Sequence, residues 1–305
     1  GFVLVMLAVD LFLVGGNKAH KVSFKEAAAW SFVWFALAML FNLGLWWHLK
    51  GAYGAGVAEA KAMEFLTGYL IEKALAVDNI FVFLMIFSFF AVPAEYQRRV
   101  LIYGVIGAIV MRAVMILAGA WLVTEFHWIL YLFGAFLVFT GVKMLMAAEA
   151  EPDLGRNPAL VWVKRHLRMT PDYRGEKFWV MENGVRVFTP LFLVLVMIEL
   201  SDLIFAVDSI PAIFAITTDP FIVFTSNIFA ILGLRAMYFM LAGMADRFHL
   251  LKYGLAMVLV FVGAKMLAAD FYKIPVGLSL GIVGLIIMTF MFASLWVTRK
   301  PPAPR

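Results

Sequence analysis

The chain has 305 residues, 64% of them hydrophobic and 15% charged, with a mean hydropathy of +0.94. Soluble domains carry about 25% charged residues, so the composition excludes an ordinary soluble domain and describes a polytopic membrane protein. The net charge is +5 and there is no cysteine. The basic residues fall between apolar runs, which speaks for membrane orientation rather than nucleic acid, and disulfides, thiolate metal sites and cysteine catalysis are excluded.

The first apolar run, GFVLVMLAVDLFLVGG (1–16), has no basic leader and contains Asp10. It is expected as a first span rather than a signal peptide. Further spans are expected over 27–49, 64–91, 99–123, 128–148, 188–216, 221–245, 251–269 and 275–297. Pro93 follows the third span, Pro190 and Pro220 stand near the starts of the sixth and seventh, and Pro275 opens the ninth. Lipid cannot satisfy backbone polar groups, so the spans are helices, and the expected fold is all-α with nine transmembrane helices. With the N-terminus outside, seventeen Lys and Arg fall on inside loops; only Lys50, Lys61 and Lys273 fall outside. The positive-inside rule then places the C-terminus in the cytoplasm.

One sizeable loop, 149–187, lies on the expected cytoplasmic side. LVWVKRHLRM (160–169) reads as a basic amphipathic helix on the membrane face. KFWVMENGVRVF (177–188) reads as a hairpin turning at Asn183-Gly184. The loop is read as a positioning linker, with a regulatory or partner-binding element as the alternative.

The sequence repeats internally. AVDNI (76–80) matches AVDSI (206–210), and six residues earlier Glu72 matches Asp202. GAIVMRAVMILAG (107–119) matches FAILGLRAMYFMLAG (229–243), aligning Arg112 with Arg235; FTGVKML (139–145) matches FVGAKML (261–267). The first unit starts outside and the second inside, so the two are inverted three-helix repeats, an arrangement that suits transport through a midplane site. The chain divides into 1–63 (two helices), 64–149 (first repeat), 150–187 (cytoplasmic loop), 188–270 (second repeat) and 271–305 (last helix and tail). LAVDLF around Asp10 echoes the motif as a degenerate third copy.

Six carboxylates lie within spans: Asp10, Glu72, Asp78, Glu199, Asp202 and Asp208; Lys73, Arg112 and Arg235 lie at comparable depth. A carboxylate at a helix centre costs roughly 3 kcal/mol on the insertion scale, so six cannot face lipid. The excess of negative charge suits a cation, and carboxylate, amide, hydroxyl and carbonyl oxygens suit a hard one such as magnesium, calcium or manganese. The five histidines sit near span ends, away from the acids. Glu72 and Asp78, like Asp202 and Asp208, are six apart, which in a regular helix is about 120° off one face. Either the helix departs from regularity near the aspartate or the paired acids serve different sites. Pro211 offers a break that frees the Val207 carbonyl beside Asp208. The expected site pairs Asp78 with Asp208, completed by Asn79, Ser209 and that carbonyl, with Glu72, Glu199 and Asp202 flanking. Arg112 and Arg235 either form fixed ion pairs or balance the acids when the cation is absent. Lys73 has no assigned role, and Ser226 and Asn227 are expected to join helices rather than bind a cation.

FLTGYLIEKALAVDNIFVF (65–83), LVMIELSDLIFAVDSIPAIFAITTDPFIVFTSNIFAILGLRAMYF (195–239) and the two G-x-K-M-L ends resemble the TerC family of bacterial membrane proteins, particularly its manganese-exporting branch, over essentially the whole chain. The resemblance implies a nine-span, N-out fold in the LysE-type exporter superfamily and efflux of manganese(II) from the bacterial inner membrane. It assigns the transport role to Glu72, Asp78, Glu199, Asp202 and Asp208. A secondary transporter, proton-coupled and not an enzyme, is the expectation; Mn2+ is cargo and no cofactor is permanently bound. No G-x-x-x-x-G-K-[ST] motif is present to suggest ATP as energy source. The alternative is a membrane partner that delivers metal to exported proteins or assists their assembly. A homo-oligomer or a secretion-machinery partner stays open.

Overall fold

The computed structural model describes residues 24–126, 128–146, 158–242, 250–272 and 274–297. The expected first span, with Asp10, lies outside the described residues. So do the side chains of Asp78 and Asp208, whose backbones are helical.

The described elements are α1 (Phe24–Tyr53), α2 (Ala55–Phe89), α3 (Ala94–Glu125), α4 (Ile129–Met146), α5 (Pro158–His166), β1 (Trp179–Glu182), β2 (Val185–Phe188), α6 (Pro190–Phe214), α7 (Pro220–Ile231), α8 (Leu234–Ala242), α9 (Leu251–Leu267) and α10 (Val276–Val297). The chain is an all-α polytopic membrane protein; among the described residues six helical segments are long and apolar enough to cross a membrane: α1, α3, α4, α6, the α7–α8 pair and α10. Two further helices occupy expected spans. α2 runs 35 residues and carries its charges between Glu59 and Asp78, and α9 runs 17. At 1.5 Å per residue α2 is about 52 Å long, well beyond a bilayer's hydrocarbon core of about 30 Å; the excess projects at its N-terminal end, around Lys61.

Helix starts follow local chemistry. α6 opens with Pro190 after Thr189, and α7 with Pro220 after Asp219. Proline at the first helical position forfeits only an N–H that is orphaned anyway. Asp219 Oδ1 accepts from the Phe221 amide at 3.0 Å, satisfying one of the remaining donors. The Asn183-Gly184 turn has φ of 51° and 75°, the left-handed pair that a two-residue hairpin needs, and β1 pairs antiparallel with β2 as expected. The hairpin is anchored rather than free: the Phe188 amide donates to the Arg168 carbonyl at 2.8 Å, and the Tyr173 hydroxyl donates to the Phe90 carbonyl at the end of α2.

Lipid gives apolar side chains no incentive to leave it, so helices associate through close packing of small residues. α4 and α9 cross in this way. A Cβ on Gly263 would lie 2.6 Å from the Gly134 carbonyl oxygen, and one on Gly141 would lie 2.7 Å from that of Ala256. α2 and α7 meet through an aromatic cluster with α1, where the Phe41 and Phe229 rings sit 4.6 Å apart and Phe65 packs against both.

The structure relocates the expected helix break. α6 is continuous through Asp208 and Pro211 to Phe214, and α2 is continuous through Asp78. The discontinuity falls in the seventh span, between α7 and α8. Leu232 leaves the helix at φ −59°, ψ 130°, and Gly233 adopts φ 81°. Glycine is required there twice over: the backbone is left-handed, and a Cβ would strike the Trp34 side chain of α1 at 2.7 Å.

Candidate functional site

The site is built where α2, α3, α6, α7 and α8 converge. Each helix delivers at least one polar group into an otherwise apolar interior, α2 two, and every such group must find a partner or cost several kcal/mol. Arg112 of α3 is the hub. Its Nη1 donates to Glu72 Oε2 and, at 2.9 Å, to Asn227 Oδ1; its Nη2 reaches Asp202 Oδ1 at 3.5 Å. Asn227 Nδ2 donates to Glu72 Oε1 at 2.9 Å, and Asn79 Nδ2 to Asp202 Oδ1 at 3.3 Å. Glu72 is 1% exposed, and Arg112 and Asp202 are each 3% exposed. One guanidinium thus lies against two buried carboxylates, with two amides completing the ring.

The ring is not saturated. Asp202 Oδ2 and Asn79 Oδ1 are buried without a hydrogen-bond partner among the described residues. Both residues line a cavity of single-water size, together with Glu72, Arg112, Ala230 and Leu234. A second cavity of like size continues from Asp202 to Arg235 on α8. Unspent oxygen acceptors beside a small void fit a hard cation or a water. Among the described residues no three carboxylates or imidazoles form a metal-holding cluster; the Arg112 guanidinium lies between Glu72 and Asp202.

The other expected site residues are placed as follows. Glu199 precedes Asp202 by one turn of α6, and its carboxylate fills the notch left by Gly107 on α3. Ser209 is buried, its hydroxyl has no partner among the described residues, and it does not line the cavity. Val207 turns its side chain outward, 43% exposed, on an unbroken helix. The expected pairing of Asp78 with Asp208 lies outside the described residues. The continuous helices leave the six-residue spacing as it is, about 120° off one face of a regular helix. Glu72 and Asp202, expected to flank, instead share the hub.

Three contributions escaped sequence reasoning. Lys73 Nζ donates to the carbonyls of Ala230 and Leu232 at 3.1 and 3.3 Å, the oxygens exposed where α7 ends. This gives Lys73 the role that its position alone did not: it caps the broken helix, as a cation at a helix C-terminus should. Asn227 does join helices, but it does so at the hub itself. Ser226 bonds only to its own helix, at the Ile222 carbonyl. The break did leave a signal in the repeat. The second motif, Phe229–Gly243, is two residues longer than the first, Gly107–Gly119, and its added length includes Gly233.

Comparison with known proteins agrees with the resemblance. Residues 57–301 match the integral membrane protein TerC family. A protein of Escherichia coli strain K12, described as a candidate membrane-bound redox modulator named Alx, is 61% identical over 299 residues, covering 98% of this chain and 93% of that one. A Photorhabdus laumondii relative with the same description is 58% identical, covering 97% and 93%. An uncharacterized membrane protein of Myxococcus xanthus is 49% identical, covering 99% and 92%. No solved structure matches. The chain belongs to the TerC family of integral membrane proteins.

Proposed function

We propose that the protein is a secondary transporter exporting manganese(II), or a divalent cation of similar hardness, across the bacterial inner membrane in exchange for protons. The observation that carries this reading is the Arg112 guanidinium held between Glu72 and Asp202 beside a cavity with unspent oxygens. A fixed structural pair would saturate its acceptors. Here Arg112 acts as a built-in counter-ion, balancing the carboxylates until a cation takes them. The departing guanidinium retains Asn227 as a partner. Protons taken up by the carboxylates weaken their hold on the cation, and once those protons leave on the other side Arg112 reclaims the anions.

Two further observations support inverted repeats and, with them, nine spans with the N-terminus outside. Glu72 and Asp202, equivalent in the repeat, reach the same hub. The α4–α9 crossing is also self-consistent under exchange of the units. A shift of 122 residues turns Gly134 into Ala256 and Gly141 into Gly263. It therefore converts the Gly134–Gly263 contact into the Ala256–Gly141 contact. Two halves that exchange about a central site are what alternating access requires. The resemblance extends the proposed transport role to Asp78, Asp208 and Glu199.

A redox role, the description carried by the E. coli relative, would have to proceed without thiols, because the chain has no cysteine. No enzymatic step is proposed. The test is Mn2+ flux in liposomes reconstituted with the purified protein. Flux driven by an imposed pH gradient supports the transporter; a protein that only delivers metal to partners, or assists their assembly, would produce none.

A further inference from the structure

A groove of about 690 Å³ lies away from the hub, where the starts of α3 and α6 meet the β-hairpin. We infer that this groove is a binding site for an anionic phospholipid of the adjoining leaflet. Its lining combines two cations, Arg99 and Lys177, with the aromatic Tyr103, Phe178 and Trp179 and the apolar Phe192 and Leu195. A phospholipid has a matching combination, with a phosphate, an interfacial glycerol and an acyl chain.

The cations are positioned rather than scattered. The Arg99 guanidinium lies 5.5 Å from the Phe178 ring centroid and 6.0 Å from that of Tyr103, and those two rings meet edge-to-face at 5.1 Å. Arg186, on the neighbouring strand, lies over Trp179 at 5.4 Å. The one acid pairing with Arg99 is Glu176, at 3.7 Å and with both side chains over a third exposed, a pair worth little in water and displaceable by phosphate. The surroundings also fit a membrane boundary. Trp179 and Met181 on β1 and Val161 and Trp162 on α5 are exposed apolar residues on the same segment, and aromatic side chains of this kind settle at the headgroup level. Basic pockets between transmembrane helices are suited to acidic headgroups. The volume exceeds what an ion or free phosphate would need.

The test follows Trp179 emission, isolated as the difference between the intact protein and W179F. Both are reconstituted in vesicles of phosphatidylcholine containing brominated phosphatidylglycerol or, at the same mole fraction, brominated phosphatidylcholine. The expected result is a preference for phosphatidylglycerol of about five- to thirtyfold, the scale of one to two cations near a surface. The preference disappears in R99A/K177A and persists in R99K/K177R, which separates loss of charge from loss of fold. Equal quenching by the two lipids overturns the proposal. So does abolition of the preference by excess inorganic phosphate, which would mark a site for the free anion. Because Arg99 and Lys177 lie outside the hub, Mn2+ flux and lipid preference are independent readouts.

Discussion

Glu72 and Asp202, from different helices and equivalent positions of the repeat, share one guanidinium, that of Arg112. Arg112→Gln therefore leaves two buried carboxylates without their cation. Removing one partner of a buried ion pair costs about 3–5 kcal/mol, read as a lower unfolding midpoint in detergent. If a cation can take the place of Arg112, Mn2+ raises the midpoint of R112Q more than that of the wild type. Equal shifts in both proteins would count against the counter-ion role.

Glu199 and Gly107 are complementary in shape. A Cβ at position 107 would overlap the Glu199 carboxylate, the far end of a flexible side chain, so Gly107→Ala expels that group at a cost below the roughly 1–3 kcal/mol of overpacking a rigid core. In an E199A background the clash is gone, and the same substitution becomes neutral or favourable, since alanine exceeds glycine in helix propensity by about 1 kcal/mol. A double-mutant cycle on thermal or denaturant stability measures the difference; additivity would show that the two residues do not meet.

The α4–α9 crossing makes a paired prediction. Gly263→Ala, against the Gly134 carbonyl, destabilises by about 1–3 kcal/mol. Gly281→Ala on α10, with nothing within 4 Å of its Cβ, is neutral or stabilising by up to about 1 kcal/mol. Unfolding midpoints of the two variants, measured side by side, decide it; a Gly263→Ala protein as stable as Gly281→Ala would mean that the helices are not in close contact there.

The described helices and the hairpin were legible in the sequence because each leaves a local trace: apolar length, proline edges and Asn-Gly. The hub was less so. Which of six acids meets Arg112 depends on helix rotation and depth, and Glu72 and Asp202 are separated by 130 positions. The break illustrates the limit of local rules. Pro211 lacks a donor, yet α6 continues past it, and the Ala215 amide bonds back to the Pro211 carbonyl at 3.1 Å. Gly233, in a stretch with no proline, is where the helix stops, because Trp34 occupies the space beside it. Lys73 could be assigned only once the carbonyls released at that break were in view.

Lys61, before the expected span 64–91, ties the start of α2 to the cap of α7, with Nζ 2.9 Å from Glu64 and 3.1 Å from Asp219. Burial works against its ammonium form, but the bonds and attraction to these two carboxylates outweigh it, and the pKa is raised above the usual 10.5. A raised lysine pKa contributes stability that is fully present below the unfolded value and lost as pH rises through the folded one. The stability difference between wild type and Lys61→Met is therefore constant from neutral to about pH 10.5 and shrinks only above it. Unfolding midpoints across that range test the link; a difference already fading near pH 9 would contradict it.

The most direct test of the central claim is gradient-driven Mn2+ flux in proteoliposomes, comparing the wild type with Asp202→Asn at equal amounts of folded, reconstituted protein. The substitution preserves shape and removes the charge that Arg112 and a cation would share. The account predicts flux coupled to the pH gradient in the wild type and its loss in Asp202→Asn. Wild-type liposomes without flux, or Asp202→Asn liposomes with undiminished flux, would contradict it.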